Sequence, residues 1–205
     1  MATAPDHAGA WSREYMSVAE YLHLEDAAIE KHEYRRGYRY LRHAGRYGMV
    51  ELAGARESHV RLVMRLARYV DAHLDGAPCV AYAMDMRLAV DESTYYYPDL
   101  FVTCSPRTGP NVVAQQDAVL VVEVLSPGTE GDDRGDKFHD YQRLPGLVEY
   151  ALLSTDQAHL DLFRRGPEGL WVLHQAASGD DLVFESIAFR ISMAQLYQSI
   201  DLRFA

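Results

Sequence analysis

Apolar and polar positions change period several times along the 205 residues, and each change marks an element. Val63, Leu66, Ala67, Val70 and Leu74 recur at helical spacing, which predicts a helix over about 58–74 with Gly76 as its stop. Val80, Tyr82, Met84, Met86, Leu88 and Val90 then alternate strictly, the pattern of one long half-buried strand. Residues 95–103 read as another strand, broken by Pro98. The continuous apolar run 119–125 suits a central strand covered on both faces. A turn at Ser126-Pro127-Gly128-Thr129 leads into a helix over about 132–143, which Pro145-Gly146 ends.

The flanks carry weaker signals. Ser17 and Glu20 stand three apart as in a capping box, with Met16 and Tyr21 at the staple positions, so a short helix is expected over 17–25. Aromatic residues and Arg alternate around Gly37, Gly45 and Gly48 between Glu33 and Leu52, which suggests a hairpin or meander. Strands are expected over 148–153 and 160–164, then near 170–175 and 182–184, before a terminal helix from Ser192. Residues 1–14 read as a frayed lead-in and 15–205 as a single domain, since no repeat or linker divides the chain. The order predicts a mixed central sheet flanked by helices, in the α/β (α+β) class.

A hydrophobic share of 48% and a charged share of 24% allow a real core and exclude disordered or collagen-like chains. No apolar run approaches the roughly 18 residues a membrane span needs, and the opening MATAPDHAGAW lacks the character of a secretory signal. Two cysteines, Cys79 and Cys104, are too few for a disulfide framework, and a reducing cytoplasmic setting is expected. The net charge of −10 argues against a passive, nonspecific DNA coat. It leaves room for an enzyme that meets DNA through a local basic patch and a bound metal. Arg35, Arg36, Arg39, Arg42 and Arg46 form such a patch in sequence, while Asp132, Asp133 and Asp136 crowd the helix that carries Lys137, where a metal would offset them.

Three residues stand out chemically. Glu123 lies inside the apolar strand, where an unpaired charge costs several kcal/mol. It is either a strand-end carboxylate bonded to a turn or an Arg, or a metal ligand or general base at the edge of the sheet. Asp99 follows Pro98; it is a turn residue, or a bulge aims it at the same cavity as Glu123. Two converging carboxylates need a cation between them. Oxygen ligands without a Cys or paired-His set favour Mg²⁺ or Mn²⁺, with the Val124 carbonyl as a third ligand. Lys137 is a surface lysine paired at i±4, with Asp133 for example, or a compact ammonium that orients a water or steadies a phosphate. Only Lys31 and Lys137 are lysines among twenty basic residues, which favours a specific use for Lys137.

Tyr97-Pro98-Asp99, then Val121 through Thr129 (VVEVLSPGT), Arg134-Gly135-Asp136-Lys137-Phe138 and Glu149-Tyr150 resemble the Uma-two family of bacterial restriction endonucleases, in the PD-(D/E)xK nuclease superfamily. The resemblance spans about 17–202. It implies a restriction-endonuclease-like core and a divalent-metal phosphodiesterase site, with Asp99 and Glu123 as the motif carboxylates. Position 125 should hold the motif lysine by the face rule for strands, yet it is Leu125. The family moves that lysine to the following helix, which assigns its role to Lys137. The turn reads SPGT where SPST is commoner. Glu33-Tyr34 ahead of Gly37, and His59 at the start of the long helix, are similar too. Glu33 is an outer carboxylate of the site or a surface charge; His59 contacts a phosphate or carboxylate, or caps its own turn. DNA is the implied substrate, a homodimer the implied assembly and Mg²⁺ (or Mn²⁺) the implied cofactor. The alternative is a catalytically inactive accessory of the same fold that binds DNA or protein.

Overall fold

The computed structural model describes residues 14–41, 56–126 and 130–202. The lead-in 1–13, the second half of the expected meander with Arg42, Gly45, Arg46 and Gly48, and Pro127-Gly128-Thr129 lie outside the described residues. The first described element is β1 (Glu14–Tyr15), which pairs with β3. Helix α1 (Val18–Asp26) follows, with the expected capping box: Ser17 N donates to Glu20 Oε2 at 2.7 Å, and Glu20 N donates to Ser17 Oγ at 3.3 Å. Met16 and Tyr21 are both buried beside the cap. Next come the hairpin β2 (His32–Arg35) and β3 (Tyr38–Leu41), then the long helix α2 (Glu57–Leu74). Gly76, at φ +76°, takes the left-handed turn that ends α2.

The expected long strand over 80–90 is instead two strands, β4 (Val80–Ala83) and β5 (Arg87–Asp91). Met84, at φ +60°, bends the chain so that β4 joins one sheet and β5 another. The same switch recurs at Pro98. β6 (Thr94–Tyr96) lies in the sheet of β5, while β7 (Leu100–Thr103) lies beside β4. Proline cannot donate to a ladder, so the chain leaves one sheet and enters the other there. After the short β8 (Ala114–Gln115) comes β9 (Leu120–Val124), every residue of it buried.

The expected helix after the turn is one run with a changed pitch. It has a turn of α3 (Glu130–Asp132), a π-helical turn over Asp133–Lys137, and α4 (Phe138–Tyr141). The chain finishes with β10 (Glu149–Leu153), β11 (His159–Arg165), β12 (Trp171–Ala177), the hairpin β13 (Asp181–Phe184) and β14 (Phe189–Ser192), and α5 (Met193–Leu196). Ser192 caps α5 through Gln195 N.

Among the described residues the expected single central sheet is instead two six-stranded sheets, ordered β1-β3-β2-β6-β5-β8 and β12-β11-β10-β9-β7-β4, plus the β13-β14 hairpin. In the second sheet β9 and β10 are parallel and the other pairs antiparallel, so it is mixed as expected. Alternation along β9 splits its sides. Leu120, Val122 and Val124 pack with Leu62, Leu66 and Val70 of α2. Val121 and Leu125 pack with Tyr96, Phe101, Tyr141 and Tyr150 in a layer that joins the two sheets and α4. Glu123 shares that second side.

Strand register also places Cys79 opposite Cys104, one step beyond the Val80–Thr103 pair, and the two are joined as a disulfide. Two cysteines are too few for a framework, but the register of β4 and β7 makes them partners, so the pair departs from the free thiols that a reducing setting would keep. Among the described residues no helix is long and apolar enough to cross a membrane.

Candidate active site

Antiparallel pairing of Leu100 with Val122 sets Asp99 across from Glu123, just past the end of the β7–β9 ladder. Both carboxylates are buried, at 5% and 2% exposure. The chain binds them to each other's backbone: Asp99 N donates to Glu123 Oε2 at 3.3 Å, and Val124 N donates to Asp99 Oδ2 at 2.8 Å. The sheet switch at Pro98 thus aims Asp99 at Glu123, as a bulge was expected to do. His59, in the first turn of α2, brings Nε2 to 3.2 Å from Asp99 Oδ2 rather than capping its own helix alone. Val124 reaches the site through its N–H.

Lys137 comes from the π-helical turn and is buried, at 6% exposure. Its Nζ lies 3.0 Å from Asp133 Oδ1, 3.3 Å from Glu33 Oε1 and 3.4 Å from Glu123 Oε1. Glu33 stands on β2 of the first sheet, so both sheets and the helix contribute to the cluster. Tyr141, one turn beyond Lys137, donates its hydroxyl to Glu123 Oε1 at 3.1 Å. The surface i,i+4 pair of Lys137 with Asp133 does form, but in the interior.

Charge dominates the energetics here. Burial pushes Glu123 up to about 8, Asp133, Asp99 and Glu33 add to the rise, and Lys137 opposes it. Burial works against the Lys137 charge, but Asp133, Glu123 and Glu33 outweigh it and hold the ammonium protonated well above its ordinary range. Burial, followed by Glu123, drives the Tyr141 phenol well up, so it stays a donor. Four carboxyl groups, Glu33, Asp99, Glu123 and Asp133, gather around one lysine, with Arg35 3.7 Å from Glu33 and with Glu123 keeping its proton up to about pH 8. Glu33 Oε1 is buried and, among the described residues, takes no hydrogen bond. Hard oxygen donors grouped in this way fit a hard divalent cation. Among the described residues no three Asp, Glu, His or Cys side chains form a ready cage. Such a cation would therefore keep water or substrate oxygens, as Mg²⁺ commonly does.

The arginine segment departs from expectation. Arg35 pairs with Asp132, lies 3.7 Å from Asp136 and 3.7 Å from Glu33, and its guanidinium stands 5.1 Å from the Tyr96 ring centre. Arg36 donates to Asp140 at 2.7 Å, and Arg39 reaches Glu25 and His32. Among the described residues these three arginines already hold partners within the chain, while Arg36 also stays exposed to solvent. Asp132, Asp136 and Asp140 recur every four residues on one helix and meet Arg35 and Arg36 across the fold. Of Asp132, Asp133 and Asp136, the acids expected to be offset by a metal, Asp132 and Asp136 face Arg35 and Asp133 faces Lys137. Sequence reasoning passed over Tyr141 and Arg35 as members of the site; the four-residue spacing of Asp133, Lys137 and Tyr141 was the available signal.

The chain is 33% identical over 186 residues to the uncharacterized protein slr1290 of Synechocystis, covering 90% of this chain and 93% of that protein. It is 30% identical over 161 residues to the uncharacterized protein sll1609 of the same organism, covering 77% and 85%. A similar fold occurs in the crystal structure of a putative nuclease belonging to DUF820 from Anabaena variabilis, with a TM-score of 0.67 at 14% identity, over 89% of this chain and 97% of that one. The family model Uma2, described as "Putative restriction endonuclease", matches residues 18–194. That model covers most of the chain, which therefore belongs to the Uma2 family of restriction-endonuclease-like proteins.

Proposed function

We propose that this chain is a Mg²⁺- or Mn²⁺-dependent endonuclease that hydrolyses DNA phosphodiesters with water as the nucleophile. The observation that carries the reading is the convergence of Asp99, Glu123 and Lys137, from three separate elements, in a buried volume rich in carboxyl groups. A divalent cation held by Asp99, Glu123 and the Val124 carbonyl would acidify a water and neutralise part of the phosphate charge. Asp99 and Glu123 hold the negative side of the site, and their backbone hydrogen bonds fix the separation of β7 and β9. Lys137 supplies a permanent positive charge beside Glu123, suited to steadying a phosphate oxygen as negative charge builds in the transition state. His59, with Nε2 3.2 Å from Asp99 Oδ2, helps to orient that carboxylate. Glu33 is the outer carboxylate, positioned to accept a proton or a cation contact.

A second reading, an accessory protein of the same fold with an unused site, is favoured by one observation. Lys137 already stands among the carboxylates as their counter-ion, with Leu125 buried where the motif lysine would be. Conversion of supercoiled plasmid in Mg²⁺ or Mn²⁺ by wild type and Asp99→Ala decides between them. The nuclease reading expects nicked or linear product from wild type only. Equal activity, or equal inertness, defeats it.

A further inference from the structure

Of the three carboxylates around Lys137 Nζ, Asp133 is the closest, at 3.0 Å. It alone shares a helix with the lysine, four residues earlier; Glu33 and Glu123 belong to strands of the two sheets. The segment joining the two residues is the π-helical turn, a local change of pitch that recurs at functional sites. Tyr150 anchors that turn by donating its hydroxyl to the Asp133 carbonyl at 2.8 Å. Asp133 is 2% exposed, so water scarcely screens its charge.

When a cation and a phosphate engage Glu123 and its neighbours, those carboxylates turn to new partners. A lysine side chain on a flexible four-carbon stem then loses two of its three carboxylate partners. Asp133 moves with the helix and keeps its contact. We propose that Asp133 is a positioning residue that holds the Lys137 ammonium directed at the scissile phosphate through the reaction. This rests on the phosphodiesterase reading above.

The test is Asp133→Asn, alone and with Lys137→Met, in the full chain with Mg²⁺ and plasmid DNA. Alone, Asp133→Asn is expected to lower kcat by about 10–100-fold, as loss of supporting partners commonly does. The KM for DNA and the Kd for Mn²⁺ should stay within about threefold, because Asp99 and Glu123 are intact. On the Lys137→Met background the same change should alter the residual rate by less than about twofold. Effects that multiply across the two backgrounds mean structural damage and overturn the inference, as does wild-type kcat in Asp133→Asn. Thermal unfolding adds a readout independent of cleavage. Asp133→Asn should lower Tm when Lys137 is present and raise it in Lys137→Met, where the buried carboxylate has lost its ammonium. A lower Tm in both backgrounds counts against the inference even if the single variant folds too poorly to assay. Failure of wild type to cut DNA defeats the phosphodiesterase reading itself, a result distinct from cleavage that ignores Asp133.

Discussion

Glu123→Gln offers a direct measure of how much charge the site holds against its will. The amide keeps the size and most of the hydrogen-bonding capacity of the carboxylate but cannot ionise. In the folded chain burial pushes Glu123 from 4.5 up to about 8, so between those values the folded state binds a proton that the unfolded chain has released. Stability from this group is therefore full below about pH 4.5, falls as pH rises, and levels off above about 8. At 1.36 kcal/mol for each pH unit, the loss is on the order of 3 kcal/mol at pH 7 and about 5 kcal/mol above pH 8. Glu123→Gln escapes that loss, while Lys137 keeps Asp133 and Glu33 as partners. Urea unfolding of both proteins in EDTA from pH 5 to pH 9 is the assay. The stability difference should move toward the variant as pH rises, and added Mn²⁺ should bring it back by stabilising the ionised wild type. A difference that stays flat across that range refutes the charge reasoning.

Three further outcomes follow from the fold. Gly37 sits at φ +93° with the Tyr15 ring 2.7 Å from where a Cβ would stand, so Gly37→Ala should cost about 1–2 kcal/mol in urea unfolding. Gly135 in the π-helical turn has an ordinary φ and open space around its Cβ position, so Gly135→Ala should stabilise by about 0.5–1 kcal/mol. Reduction of the Cys79–Cys104 disulfide, with a sequence separation of 25, should cost about 2–4 kcal/mol, measured by unfolding with and without dithiothreitol.

Local chemistry was legible in the sequence wherever one short segment carried the whole signal. The Ser17–Glu20 box, the α2 stripe and the apolar run around Glu123 each mark an element that the structure contains. The split of residues 80–90 was hidden because the apolar alternation runs on through a turn that only the positive φ of Met84 reveals. Pro98 did announce its break, yet nothing local told that the break joins two sheets.

For the site, Asp99 and Glu123 could be paired from their anomalous settings, and Lys137 from its rarity and the family motif. The role of the arginines could not. Arg35 meets Asp132 across 97 positions and Arg36 meets Asp140 across 104, and a charged residue looks the same in sequence whether it faces solvent or an acid from a distant helix. The interior place of Asp133 was concealed for a related reason: an i,i+4 Asp–Lys pair is as well suited to a solvated helix as to a buried one.

Calorimetric titration of Mn²⁺ into the chain at neutral pH tests the central claim that Asp99 and Glu123 form a divalent-cation site. The account predicts one saturable site per chain in wild type, with proton release from Glu123, and no measurable binding in Asp99→Ala. Wild type that takes up no Mn²⁺, or an Asp99→Ala variant that binds it as well, would contradict the account.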